Sequence, residues 1–205
     1  MITRRTRPEL NWRSYTELDL PPVLQAALEC FVEQGYHGTS IRTLAHRSGL
    51  SVPGVYHHYP SKHSLLVALV QFAMDDLRRR CTSALEEAGP STALRLNALV
   101  ECMVLFHAHQ GGLAFIAASE IRSLEGTARS EHISARDTLQ RMFDTLIEEG
   151  IDEGSFNAPY PCETSRAIVT MCTGVAQWYR PTGELSPEDV AVRYVEIARS
   201  ALGCR

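Results

Sequence analysis

The stretch from Thr39 to Lys62, TSIRTLAHRSGLSVPGVYHHYPSK, constrains this chain more than any other, because it leaves room for two short helices and a tight turn. Thr39 or Ser40 offers a side-chain oxygen to an orphan backbone N–H at the start of the first helix. Ile41, Leu44 and Ala45 follow at helical spacing and give it a narrow apolar face, with Arg42, His46 and Arg47 pointing away. Gly49 takes a positive φ at little steric cost and stops that helix. Ser51 caps a second helix whose first turn holds Val52-Pro53, where proline is tolerated, and which carries Gly54, Val55, Tyr56, His57, His58 and Tyr59. Two helices joined by so short a turn form a helix-turn-helix unit, whose second helix enters the DNA major groove.

The net charge of −4 sounds wrong for a DNA binder until the chain is split after Arg80. Residues 1–80 hold 10 Lys/Arg against 7 Asp/Glu, a net of +3; residues 81–205 hold 10 against 17, a net of −7. The basic excess lies with the helix-turn-helix, where phosphate contact supplies most non-specific affinity. No run of 18 or more apolar residues predicts a transmembrane helix, and the basic start MITRRTRPEL leads into no apolar h-region, so the expected location is the cytoplasm. Six scattered cysteines with no CxxC pair read as buried, inert thiols, with redox sensing as the alternative.

Residues 1–18 read as a flexible basic arm, in which Arg4, Arg5, Arg7 and Arg13 either follow the DNA backbone into the minor groove or are simply solvated. Leu20-Pro21-Pro22 starts a helix carrying Leu24, Ala27, Leu28, Phe31 and Val32, which Gly35 ends. Ser61 caps a long helix through Leu65, Leu66, Leu69, Val70 and Ala73. Further helices are predicted from Ser91 or Thr92 to about His109, from about Thr127 to Glu149, from Cys162 to Tyr179 and from Pro187 to Leu202.

Phe31, Gly35, Thr39, Ile41, Leu44, Ala45, Gly49, Ser51, Tyr56, Tyr59, Ser61, Lys62 and Leu65 together resemble the N-terminal domain of the tetracycline-repressor (TetR) family of transcription regulators, over residues 23 to about 69. The resemblance implies an all-α fold: a flexible arm (1–18), a three-helix helix-turn-helix DNA-binding domain (19–65) and a helical effector-binding and dimerisation domain (66–205). It implies DNA contacts from Thr39, Arg42, Ser51, Val52, Pro53, Gly54, Tyr56, His57 and Lys62, with Tyr59 packing the small domain. Many members carry Lys-Gly where this chain has Val52-Pro53, so a phosphate contact is lost and Val52 becomes a candidate for a thymine methyl. The family's mode of action implies a homodimeric repressor on a palindromic operator, released by a small molecule; an activator or a ligand-independent DNA binder of the same fold stays open.

The C-terminal half has no GxSxG, no HExxH, no phosphate-cradling glycine loop and no paired-cysteine motif, so no enzyme and no cofactor is expected. His57-His58 and His107/His109 diverge on a helix, so no metal site is expected either. Met103, Phe106, His107, Phe115, Glu120, Phe143, Met171, Val175, Trp178 and Tyr179 form the bulky set, with a few polar groups, expected around an effector cavity; plain core packing is the competing account. The tail WYRP, then LSPEDVA, resembles a branch of the family that regulates lipid, sterol and acyl-CoA catabolism. That implies an amphipathic effector such as an acyl-CoA thioester, with Arg122, Arg141 and Arg180 as candidates for its phosphates; surface solvation is the competing role for each. In the family the last two helices also dimerise, which points to Ile168, Cys172, Val175, Ala176, Val190, Val195 and Ala198.

Overall fold

A computed structural model describes residues 11–16 and 18–204. Among these residues the regular structure is helical, with no strand. Helix α1 (Pro22–Gly38) opens on Pro22 and is broken at Gly35, whose φ of 73° is non-helical. Helix α2 (Ile41–Ser48) is capped by the Ser40 hydroxyl, which accepts from the Thr43 N–H, and ends on Gly49 at φ 70°. Helix α3 (Val52–His58) is capped by Ser51 through the Gly54 N–H. Val55, fully buried, anchors α3 in the core that also holds Leu44 and Ala45 of α2 and Phe31 of α1.

Helix α4 (Lys62–Glu87) starts in a reciprocal capping box between Ser61 and Ser64 and belongs to both halves of the molecule. Its first turns bury Leu65, Leu66, Leu69 and Val70 in the N-terminal core; its later turns bury Leu77, Cys81 and Ala84 in the C-terminal core. Helix α5 (Thr92–His109) runs through the middle of the second core, buried on most of its circumference. The chain then bends by 98° into α6 (Gly111–Ser119), and a 3-10 turn (Glu120–Ser123) follows. Helices α7 (Gly126–Asp152), α8 (Pro161–Trp178) and α9 (Pro187–Ala201) complete the fold. No single described helix is long and apolar enough to cross a membrane.

Part of the expected effector-binding and dimerisation domain (66–205) packs with the helix-turn-helix: Leu113, Ile116, Ala117 and Leu124 are buried with α1 and α4 in the N-terminal core. Part of the expected flexible arm is docked. Trp12 is 1% exposed in the C-terminal core, and its indole N–H donates to Glu87 at 2.7 Å. The buried Arg80 donates through Nη1 to the Trp12 and Ser14 carbonyls, both at 3.0 Å, and through Nε to Asp76 at 2.8 Å. Arg13 is held by Glu87 and Glu101, which ties it to the C-terminal domain. Arg4, Arg5 and Arg7 lie outside the described residues.

The dimerisation set also moves. Ile168, Cys172, Val175, Val190 and Ala198 are buried inside the single chain, and Ala176 and Val195 pack against the same core. The apolar side chains left outermost on α8 and α9 are Trp178, Val192 and Ile197. Cys30, Cys81, Cys102 and Cys172 are buried, whereas Cys162 is exposed. Burial pushes the Cys172 thiol well up, which keeps it un-ionised and unreactive.

Candidate nucleic-acid interface and ligand cavity

The outer face of α2 and α3 is built from caps and short helices. Ser51, Pro53, Tyr56, His57 and His58 are exposed along α3, with Tyr56 48% exposed. A Cβ at Gly54 would stand 3.3 Å from the Ser51 hydroxyl, so the small residue protects the cap that starts the helix. Val52 leans onto the N-terminal core, so Pro53, and not Val52, is the outermost apolar group of that first turn. Tyr59 packs against the same core.

Two expected phosphate contacts are occupied elsewhere. Thr39 is 2% exposed, and its hydroxyl is directed inward to the Cys30 and Gly35 carbonyls at 3.1 and 2.9 Å. The reason is local: Ser40 takes the cap of α2, which turns Thr39 into the corner. Lys62 donates to the Tyr36 and Thr39 carbonyls at 2.7 and 2.8 Å, over the Tyr36 ring, and desolvation lowers its pKa. It clamps the end of α1 to the start of α4. Arg42 is exposed and in no ion pair among the described residues, whereas Arg47 forms a two-bond pair with Glu33. The hydroxyls of Ser40 and Thr43 lie 2.8 Å apart on the exposed start of α2, outside the expected contact set.

In the C-terminal domain a cavity of about 520 Å³ lies between α4, α5, α6, α7 and α8. Ala73, Met74 and Leu77 of α4, Met103, Phe106 and His107 of α5, Ala114, Ala117 and Ala118 of α6 and Leu139 of α7 make it largely apolar. Exposed Ile133, Arg136 and Asp137 of α7 and Arg166 and Thr170 of α8 place its mouth between those two helices. Of the expected set, Met103, Phe106 and His107 line it.

The other seven do not. Phe143 and Val175 are fully buried core, and Met171 packs against that core. Trp178 is half-exposed and stacks on Tyr194; the Tyr179 hydroxyl donates to the Leu185 carbonyl. Phe115 faces outward from α6, and Glu120 accepts from Ser123 in the 3-10 turn. The cause is helical phase: α8 turns Arg166, Val169, Thr170 and Thr173 to the cavity and Ile168, Cys172 and Val175, about 100° around, to the core. Arg122, Arg141 and Arg180 are also off the cavity, which has Arg136 and Arg166 in their place.

Buried polar groups at the cavity are few. His107 Nδ1 lies 2.7 Å from the Met103 carbonyl, and burial lowers its pKa to about 4. His132, 4% exposed, has neither ring nitrogen hydrogen-bonded, and desolvation with help from Arg136 lowers its pKa. Gln140 is held by Asp144 and Ser165 at 2.9 and 2.8 Å. His132, Arg136 and Gln140 repeat at four-residue spacing on one face of α7, a signal that reading for bulky apolar residues passes over. The described residues hold no cluster of three or more His, Cys, Asp or Glu that suits a metal ion.

Residues 23–69 match the family described as bacterial regulatory proteins, tetR family, and residues 89–202 match the tetracyclin repressor-like C-terminal domain. The HTH-type transcriptional repressor KstR2 of Rhodococcus jostii (strain RHA1) is 26% identical over 182 residues, which cover 88% of this chain and 89% of that protein. A bacterial regulatory protein in the tetR family from Rhodococcus RHA1 superposes with a TM-score of 0.82 at 28% identity, over 90% of this chain and 96% of that one. AibR, solved in complex with isovaleryl coenzyme A and operator DNA, has the same fold, with a TM-score of 0.78 at 22% identity over 85% and 95% of the two chains.

Proposed function

The chain belongs to the TetR family of transcriptional regulators, and from that premise we propose that it is a homodimeric repressor released from its operator by an effector entering the cavity between α4 and α8. One observation carries this reading: α4 supplies both the cavity wall (Ala73, Met74, Leu77) and the support of the helix-turn-helix (Leu65, Leu66). A ligand that shifts the later turns of α4 moves α3 with them. Differential affinity of about 1–3 kcal/mol between two spacings of the recognition helices is typical of such coupling.

Arg42, Ser51, Pro53, Gly54, Tyr56 and His57 are the proposed DNA contacts, joined by Ser40 and Thr43; phosphate contacts fix register and base edges give sequence. Dimerisation is assigned to the outer faces of α8 and α9, where Trp178 and Ile197 are exposed. Two-fold symmetry then calls for a palindromic operator. An acyl-CoA thioester suits the cavity because apolar walls meet two arginines at the mouth, placed for an acyl group and phosphates respectively. AibR, whose fold this chain shares, holds isovaleryl coenzyme A and operator DNA.

The test is fluorescence anisotropy on DNA from immediately upstream of the chain's own gene, at two salt concentrations, with and without a panel of acyl-CoAs. Salt-sensitive, selective binding abolished by one thioester is the expected result. Selective binding that no thioester disturbs removes the effector class and keeps the regulator. DNA affinity that stays equal with every cavity ligand bound removes the proposed release.

A further inference from the structure

We propose that the effector site has a second compartment, between α4 and α7, which takes the apolar end of the ligand, and that only a ligand long enough to reach it releases DNA. The inference rests on the reading of the first cavity as the effector site and names the kind of ligand end that the site admits.

A second cavity, of about 400 Å³, opens between α4 and α7. Val67 and Val70 of α4, Leu124, and Ala128 and Ala135 of α7 make its apolar wall. Met74 and His132 line both this cavity and the first. Helical phase explains the sharing. On α7, Ala128, His132 and Ala135 form one face and His132, Arg136 and Gln140 the adjoining one, so His132 stands on the edge between them. On α4, Val67, Val70 and Met74 turn to the second cavity, and Met74 and Leu77 to the first. One side chain from each helix therefore parts the two spaces. His132 is buried, with the Ala117 carbonyl of α6 beside its ring. Met74 is only partly buried and unbranched, and its three rotatable bonds let it swing aside.

Charge decides which end of a ligand enters. The outer rim of the second cavity carries Asp75, Glu131 and Gln71, whose amide donates to Glu131 at 3.4 Å. Two carboxylates there repel an anionic end, whereas Arg136 and Arg166 attract one to the mouth of the first cavity. A ligand with an anionic head thus points its apolar tail toward Met74. Val70 and Leu124, each 3% exposed, belong to the N-terminal core together with Val55 of α3. A tail that passes Met74 lies against the core that carries the recognition helix; a shorter one meets α4 only at Ala73, Met74 and Leu77. A ligand shifts an equilibrium only by its differential affinity for the two states, so the contact with Val70 and Leu124 separates release from mere binding.

The test is calorimetric titration of the full chain with saturated acyl-CoAs from butanoyl to dodecanoyl, and with the matching alkanoic acids as thioester-free probes. Affinity is expected to rise by about threefold per methylene through the longest members. Butanoyl-CoA is expected to bind without releasing DNA, and dodecanoyl-CoA to release it. The methyl resonances of Val70 and Leu124 are expected to shift only with members that release DNA. Ala128→Phe and Ala135→Phe each fill the second cavity from a partly exposed position, so misfolding of one leaves the other. In both, the advantage of dodecanoyl-CoA over butanoyl-CoA is expected to fall by at least about tenfold. An advantage kept in full by both variants overturns the proposal, as do Val70 and Leu124 methyls that stay silent with dodecanoyl-CoA bound. Release by butanoyl-CoA as complete as by dodecanoyl-CoA leaves the repressor reading standing and overturns the length threshold. No binding by any member of either series removes the second compartment and the effector site together.

Discussion

The ammonium of Lys62, at the first residue of α4, donates to the carbonyl of Tyr36, at the last turn of α1, across 2.7 Å. A second bond reaches the Thr39 carbonyl at 2.8 Å, so one side chain closes the end of α1, the corner before α2 and the start of α4. Carbonyls at a helix end have no partner within the helix, and a cation there also meets the negative end of the helix dipole.

Replacing Lys62 with Met keeps the aliphatic stem and removes both bonds. Hydrogen bonds from charged donors contribute about 1.5–3 kcal/mol, and that is the expected loss on urea unfolding. The proposed DNA affinity falls too, but through loosening of the helix-turn-helix, so its dependence on salt keeps nearly the same slope. A slope reduced by about one phosphate with stability unchanged assigns Lys62 to DNA instead.

The docked segment around Trp12 gives a second prediction. Trp12→Ala empties a large buried site and is expected to cost about 3–5 kcal/mol. Arg80→Met removes the donor that holds the Trp12 and Ser14 carbonyls and strips the buried Asp76 of its closest cation. Breaking such a pair costs about 3–5 kcal/mol when the remaining charge is alone; Arg79, 2.9 Å from Asp76, keeps the expected value toward the lower end. Chemical denaturation of both variants checks this. A Trp12→Ala protein as stable as the parent means that the segment does not hold the core.

Arg42 and Arg47 lie five residues apart on α2 and have opposite prospects. Arg42 is exposed and outside the described ion pairs; Arg47 is engaged by Glu33 through two bonds. Under the proposed function, Arg42→Ala lowers the slope of log affinity against log salt by about 1, whereas Arg47→Ala leaves it nearly unchanged. Anisotropy titrations at several salt concentrations separate the two. Equal slopes in the two variants remove Arg42 from the interface.

Much of the fold was legible because its decisive interactions are local. Ser51, Ser61, Ser91 and Ser186 each cap the helix that follows, and each cap can be read within four residues of sequence. Gly35 and Gly49 mark their breaks by the same short-range logic. What escaped depends on distant partners. Trp12 reads as part of a basic tail until Arg80 and Glu87 are brought to it, and Lys62 reads as a free cation until Tyr36 arrives. The cavity escaped in part for a different reason. Helical periodicity identifies α8 as two-faced, but which of its faces meets the core and which the cavity is set by where α5 and α7 lie. Val169, Thr170 and Thr173 were therefore passed over while Val175 and Met171 were favoured.

His107 makes the stability of the chain depend on pH. Burial lowers its pKa from the ordinary 6.5 to about 4, so the folded ring stays neutral where the unfolded ring already binds a proton. The contribution is therefore complete above pH 6.5 and is lost as pH falls toward 4, because protonation then favours the unfolded chain. A gap of that size corresponds to at most about 3 kcal/mol. His132, also shifted down, acts in the same direction. Carboxylates such as Glu33 and Glu87, lowered by Arg47 and Arg13, also lose their stabilising effect in acid, so the raw pH profile is composite. The difference between the parent protein and His107→Leu isolates the ring. Unfolding free energies at pH 7.5, 6.5, 5.5 and 4.5 are expected to fall less steeply in the variant, with the two curves converging or crossing toward the acid end. Parallel curves mean that His107 is not held neutral by the fold.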